Sequence, residues 1–294
     1  MRARPMERAF TAFAWLSGAA LFTTVLFFAG YLLWHGGPVL GATLVFGSAD
    51  PLAALLFKQP VLDGIFPAIM GTFALVLLSV SIAIPLGLFT GIYMAEFASD
   101  RVRRFFGVFY DILAGSPSIV VGLFGFSTAL FLHRYVSANI FPCLLISALS
   151  LAFLVLPYLI RSTQTALENL PADIRLTALA LGASPTQNLF YVLIPKALPG
   201  ILSGVVLSIG RCAEDTAVIM LTGVAASAGL PRSLLGNYEA LPFYIYTISS
   251  QYMDYEELAR GYAAALILFL VCASLFFLSF VIRSLLGASI RRNR

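Results

Sequence analysis

Four polar residues, Arg211, Glu214, Asp215 and Thr216, stand together inside the apolar segment Gly200 to Gly223. About twelve residues into a helix that rises ~1.5 Å per residue is close to the middle of a roughly 30 Å hydrocarbon layer. Each charge at that depth costs roughly 2.5 to 3.5 kcal/mol on insertion scales, so the cluster must face a bundle interior, a partner subunit or a water-filled path. The residue types admit three kinds of chemistry. Arg211 offers a planar fork of donors that suits an oxyanion such as phosphate. The two acids can relay protons or ions. Arg211 can also pair with Glu214 or Asp215, three and four residues on, as an internal ion pair that fixes helix packing.

A second interruption falls at similar depth, where Gly115-Ser116-Pro117-Ser118 breaks the apolar segment Phe105 to Leu132. Proline brings no N–H to the helix ladder. If Ser116 caps a restarted helix with Pro117 at its first position, the N–H groups of Ser118 and Ile119 point into the bundle. Helix N-termini attract anions, and discontinuous membrane helices form substrate sites this way. The alternative is a plain proline kink. An arginine and a helix N-terminus at one depth describe a path for a small oxyanion. With both acids ionised the cluster is net negative, so an anion needs one of them protonated or a cation from a second subunit.

The elements that position these residues follow from composition. The 294 residues are 60% apolar and 11% charged, with a mean hydropathy of +0.93. That excludes a soluble domain of this size. Runs long enough to cross a bilayer occur at Phe10 to Trp34, Phe66 to Tyr93, Phe105 to Leu132, Phe141 to Ile160, Gly200 to Gly223 and Leu258 to Ile282. The expectation is an all-α polytopic membrane protein of six transmembrane helices, one membrane domain over residues 1–294. The first run is too long for a signal-peptide core and is read as a retained helix. Gly87 with Gly91 and Gly200 with Gly204 have the four-residue spacing that lets helices approach closely. Cys143, Cys212 and Cys272 fall in the apolar runs with no paired spacing, so no disulfide or metal set is expected. His35 and His133 sit at span ends, which argues against haem or zinc chemistry.

Basic residues set the orientation, since cytoplasmic loops retain Lys and Arg. With both termini inside, Arg2, Arg4, Arg8, Arg101, Arg103, Arg104, Arg161, Arg175, Lys196, Arg283, Arg291, Arg292 and Arg294 are cytoplasmic, against Lys58, Arg134, Arg232 and Arg260 outside. This thirteen-to-four bias also accounts for the net charge of +4 without a nucleic-acid partner. Outside, the segment Val224 to Glu257 holds Phe243, Tyr244, Tyr246, Tyr252 and Tyr255, which suit an interfacial belt or surface helix, or the docking of a partner protein.

The polar stretch Arg161 to Pro199 lies on the cytoplasmic side in this topology. Pro171-Ala172-Asp173 opens a helix and Gly182 stops it. Ser184-Pro185-Thr186-Gln187 then gives a cap, a first-turn proline and a capping-box glutamine, with Leu189, Phe190 and Leu193 as the apolar face of a second short helix.

The frame Leu176-Thr177-Ala178, Gly182, Val192-x-Ile194-Pro195 resembles the cytoplasmic loop of permease subunits of bacterial ABC importers. That family carries Glu-Ala-Ala, three residues, Gly, nine residues, then Ile-x-Leu-Pro. The resemblance implies that the loop sits in a cleft of an ATPase subunit and passes on its closure, through Leu176, Thr177, Ala178, Gly182, Ser184 and Pro195. Leu176 stands where the family has glutamate. Gly64 to Thr72, Gly91 to Ala98, Pro117 to Leu123 and Leu241 to Tyr246 resemble, in order, the phosphate-importer permeases, the PstA type more closely than the PstC type. These usually read Arg-x-x-Gly-Glu-Thr in the fifth span, which carries over to Arg211, Asp215 and Thr216, with Glu214 in place of the glycine.

The resemblance implies a type I (MetI-like) permease in the bacterial inner membrane that forms half of a phosphate path lined by Arg211, Glu214, Asp215, Thr216, Ser116 and Ser118. It also implies a second permease subunit, an external phosphate-binding protein and an ATPase dimer that holds ATP and magnesium. The chain lacks a glycine-rich phosphate loop ending in Lys-Ser or Lys-Thr, so no cofactor, metal or catalytic residue is assigned to it. The alternative function is an ion-coupled secondary carrier or channel for a small anion. A membrane-embedded enzyme has less support, because no nucleophile and base pair stands out.

Overall fold

A backbone crossing hydrocarbon must satisfy its own hydrogen bonds, so the apolar runs dictate helices. The computed structural model of the chain describes residues 5–292. Arg2, Arg4 and Arg294, three cations behind the expected orientation, lie outside the described residues, as do the side chains of Arg8, Arg283, Arg291 and Arg292. In chain order come α1 (Pro5–Gly36), the short α2 (Ala42–Phe46) and α3 (Pro51–Leu55), α4 (Phe66–Glu96), α5 (Asp100–Gly115), α6 (Ser118–Tyr135) and α7 (Leu144–Glu168). Then follow α8 (Ala172–Ala180), α9 (Pro185–Asn188), a π-helical turn at Leu189–Leu193, α10 (Ile194–Glu214), α11 (Ala217–Thr222), α12 (Leu241–Gln251) and α13 (Tyr255–Arg292). Among the described residues six helical lengths are long and apolar enough to cross a membrane: Ala9–Val39, Phe66–Glu96, Ser118–Tyr135, Leu144–Glu168, Pro185–Glu214 and Tyr255–Phe277.

The most buried of these is α7, and it serves as the hub. Its residues Leu151, Val155, Leu159 and Ile160 are at most 2% exposed, whereas α1 presents nearly all of its side chains outward. Both glycine pairs face this one helix. Gly87 and Gly91 of α4 lie against Leu159 and Thr163, and Gly200 and Gly204 of α10 lie against Ala166 and Ser162, so closely that a Cβ would overlap them. Small residues thus let two helices close on neighbouring faces of α7, where they also meet each other.

Two expected spans come out differently. The run Phe105 to Leu132 is not one crossing: α5 stops at Gly115, and only α6 is apolar and long enough to span. The reason is polarity. Along α5 stand Arg101, Arg103, Arg104 and Asp111, and it buries only Gly107 and Tyr110. It lies against the end of the bundle that carries α8 and α9, called here the loop end, where Arg161 of α7 binds Asp111 at 2.7 Å and donates to the Gly107 carbonyl at 2.9 Å. The run Gly200 to Gly223 is divided as well, at Asp215-Thr216 between α10 and α11.

The aromatic segment forms the short helix α12 and its flank, with Phe243 and Tyr244 half-buried. Leu241 and Pro242, at the start of α12, are buried, and the free N–H of Leu241 finds the Thr72 hydroxyl at 2.9 Å. Tyr238 is fully buried beside them. Tyr246, Tyr252 and Tyr255 remain exposed.

Candidate functional site

The break after α10 is made by Asp215, whose extended backbone (ψ 114°) ends the helix. Its Oδ1 accepts from the Val218 N–H at 2.9 Å, so Asp215 caps α11 as an N-terminal cap does. Its other oxygen lies 3.5 Å from Arg211 Nη2, while Arg211 Nη1 donates to Glu214 Oε1 at 3.0 Å. Burial separates the two acids: the Asp215 side chain is 3% exposed and that of Glu214 61%. Asp215 is therefore held in place and Glu214 is free to swing. Arg211 Nε is buried and has no partner among the described residues. The internal ion pair foreseen from the spacing is formed, and it leaves the buried Nε unspent. Thr216 is half-buried between the helices, without a capping bond from its side chain.

The α5/α6 break differs in detail from the expected cap. Ser116 Oγ donates back to the Ile112 carbonyl at 2.9 Å and so closes α5 instead of opening α6. Pro117 occupies the cap position, Ser118 is the first residue of α6, and no side chain caps it. The Val120 N–H returns to the Pro117 carbonyl at 3.0 Å, which leaves those of Ser118 and Ile119 for other acceptors. The two breaks come to one level. Gly122 of α6 packs on Ala217 and Val218, and Gly125 on Thr222 and Ser150, so Ser118 lies one helical turn from the contact and Asp215 two or three residues from it. Among the described residues no hydrogen bond joins Arg211 to Ser116 or Ser118.

At the loop end the local signals fold as their chemistry requires. The N–H groups of Gly182 and Ala183 return to the carbonyls of Leu179 and Ala178, and Gly182 adopts φ +87°. This double closure needs a residue at ease in the left-handed region. Ser184 and Gln187 form a reciprocal capping box, at 3.2 and 2.8 Å. Leu189 and Leu193 are buried as expected, but Phe190 is exposed, because the π turn shifts the register of the face. Leu176, Thr177, Gly182 and Ser184 are exposed, and Ala178 and Pro195 are half-buried. With Leu176, Leu181, Phe190 and Tyr191 outward, the hairpin presents an apolar surface.

Sequence reading missed a polar cluster beneath this hairpin. Arg175 of α8 reaches Glu96 at the end of α4, with Nη1 2.9 and 3.1 Å from its two oxygens. Arg103 donates to the carbonyls of Met94 and Ala95, at 2.9 and 3.1 Å. Glu168 accepts from Gln164 at 2.9 Å. The partners lie up to 79 residues apart, and no local spacing announces such a pair.

Residues 83–292 match the family described as binding-protein-dependent transport system inner membrane component. The chain belongs to that family. As such a component it is a multi-pass inner-membrane permease subunit of a transport system that depends on a binding protein. It is 34% identical over 213 residues to phosphate transport system permease protein PstA 1 of Mycobacterium tuberculosis (strain ATCC 25618 / H37Rv), covering 72% of this chain and 67% of that protein. It is 32% identical over 241 residues to PstA of Haemophilus influenzae, covering 80% and 83%. Among solved structures, the permease fold resembles the inward-facing MetNI methionine ABC transporter (TM-score 0.54, 18% identity, 81% of this chain and 99% of that one). It also resembles a bacterial ABC transporter that imports alginate (TM-score 0.57, 15% identity, 95% and 99%). At these identities the likeness concerns the fold.

Proposed function

We propose that this permease is of the PstA type and forms half of the path for inorganic phosphate, with a PstC-like second permease, a PstB-like ATPase dimer that binds ATP and magnesium, and a PstS-like binding protein outside. The observation that carries the reading is Arg211, placed beside the break at Asp215 and level with the uncapped N-terminus of α6. A phosphate can take the Arg211 donors that Glu214 releases, together with the unpartnered Nε, while Asp215 stays fixed as the cap of α11. Ser118 N–H, Ser116 and Thr216 border the same level. The two termini and the hairpin of α8 and α9 face the cytoplasm, and the hairpin takes its ATPase through the exposed Leu176, Leu181 and Phe190. The relatives named PstA support the cargo, and no step of the chemistry falls to this chain.

The test is uptake of radiolabelled phosphate into vesicles that contain the four-component complex. Uptake is expected to require ATP and the loaded binding protein. Phosphate movement by this chain alone, without ATP, would overturn the importer reading in favour of a carrier or channel.

A further inference from the structure

None of the described residues of α8 is buried, so apolar burial does not hold this helix on the membrane bundle. Polar bonds from one residue do. The Arg175 guanidinium binds Glu96 at the end of α4, and its Nη2 donates to the Leu167 carbonyl near the end of α7 at 2.6 Å. The Arg175 carbonyl in turn accepts from Asn188 Nδ2 of α9 at 2.9 Å, and Asn188 is buried. One residue thereby joins the ends of two spanning helices to both helices of the hairpin. The site is sheltered: the Arg175 and Glu96 side chains are 28% and 16% exposed. A planar fork reaches a carboxylate and a carbonyl at once, which a lysine does not.

We propose that the Arg175–Glu96 pair is the joint through which movement of the hairpin reaches α4 and α7, which makes both positioning residues for transport. The hairpin's outer face is apolar where the family carries a glutamate, at Leu176, and the charge that matters for coupling lies on its inner face. Arg103 braces the same joint, holding the last carbonyls of α4 with its Nε 3.8 Å from Glu168. A displacement of α8 without this pair would leave a half-buried charge unmatched, which is costly. With the pair, α8 and the end of α4 shift together.

The inference rests on the reading of this hairpin as the ATPase-docking element. Its test uses Glu96→Gln, Arg175→Gln and the double variant in the four-component complex, with phosphate moved per ATP hydrolysed as the readout. Each single variant is expected to assemble, to keep hydrolysing ATP and to lose roughly tenfold in that ratio, and the double variant should lose no more than either single. A native ratio in Glu96→Gln, additive losses, or failure of all three to assemble would each overturn it. A second readout needs no cargo: amide hydrogen exchange over residues 172–180 should quicken in the single variants, and unchanged exchange would overturn the joint. Failure of the phosphate reading appears separately, as absent uptake by the native complex.

Discussion

Arg211 carries opposite expectations for its two acids. Asp215 is buried and caps α11, so Asp215→Ala should destabilise the purified subunit by about 0.5 to 2 kcal/mol, the usual cost of a lost cap. Glu214 is exposed and bonds only the side it can leave, so Glu214→Gln should change stability by no more than about 0.5 kcal/mol and retain phosphate uptake. Denaturation in detergent together with vesicle uptake separates the two, and equal losses from both substitutions would contradict the division of roles. Arg211→Gln should abolish uptake while the complex still assembles; a complex that no longer assembles would instead make the ion pair purely structural. The pairing of Arg211 was legible in its three- and four-residue spacing. The cap was not, because an acid followed by Thr216-Ala217-Val218-Ile219 and more apolar residues has the same pattern as a helix interior. Glu96 was illegible for another reason: its partner comes from a distant loop, and only the fold brings them together.

Helix ends in the hairpin were the most legible elements, since caps and stops are local chemistry. Gly182 and the Ser184/Gln187 box both lie where their residue types require. Open space surrounds Gly182, so a side chain there meets no clash and only the backbone pays, by roughly 1 to 2 kcal/mol for a left-handed residue. Gly182→Leu is therefore expected to leave the membrane bundle intact and to lower phosphate moved per ATP hydrolysed. Unchanged coupling in that variant would deny the hairpin's stop a role. At the opposite end, burial raises the Glu239 carboxyl above the usual range, against the lowering effect of the Gly229 N–H that donates to it at 2.7 Å. A folded pKa above the unfolded one means that folding favours the protonated acid. The segment around Glu239 should thus be firmest below the ordinary glutamate range and loosen as pH rises through the raised pKa. Hydrogen exchange over residues 225–240 measured against pH should show this trend, and Glu239→Gln should flatten it. The break at Gly115 to Ser118 was legible, but not that α5 fails to cross: the apolar run begins only at Phe105, and Asp100, Arg101, Arg103 and Arg104, which precede it, turn out to be the first turn of the same polar-faced helix.

At the scale of the molecule, the class and the number of crossings were legible because long apolar stretches have few alternatives, and the glycine pairs pointed to close packing. The hub role of α7 was not, since both pairs had to be brought to the same helix. The geometry gathers the basic residues at one end. Arg103, Arg161 and Arg175 all bind there, around the ends of α4, α5 and α7, while Lys58 precedes α4, Arg134 stands at the end of α6, Arg232 lies between α11 and α12 and Arg260 near the start of α13. The retention of cations on the cytoplasmic side supports the proposal that the hairpin faces the cytoplasm. Leu181, 84% exposed at the tip of the hairpin, tests this directly. Cys143 and Cys212 are buried and Cys272 is half-buried on a spanning helix, so background labelling should be low. A Leu181→Cys permease should react with a membrane-impermeant maleimide in inside-out vesicles and stay unlabelled in intact cells, while Lys58→Cys should do the reverse. Labelling of the Leu181 variant in intact cells would invert the topology and detach the hairpin from any cytoplasmic ATPase, whatever the cargo proves to be.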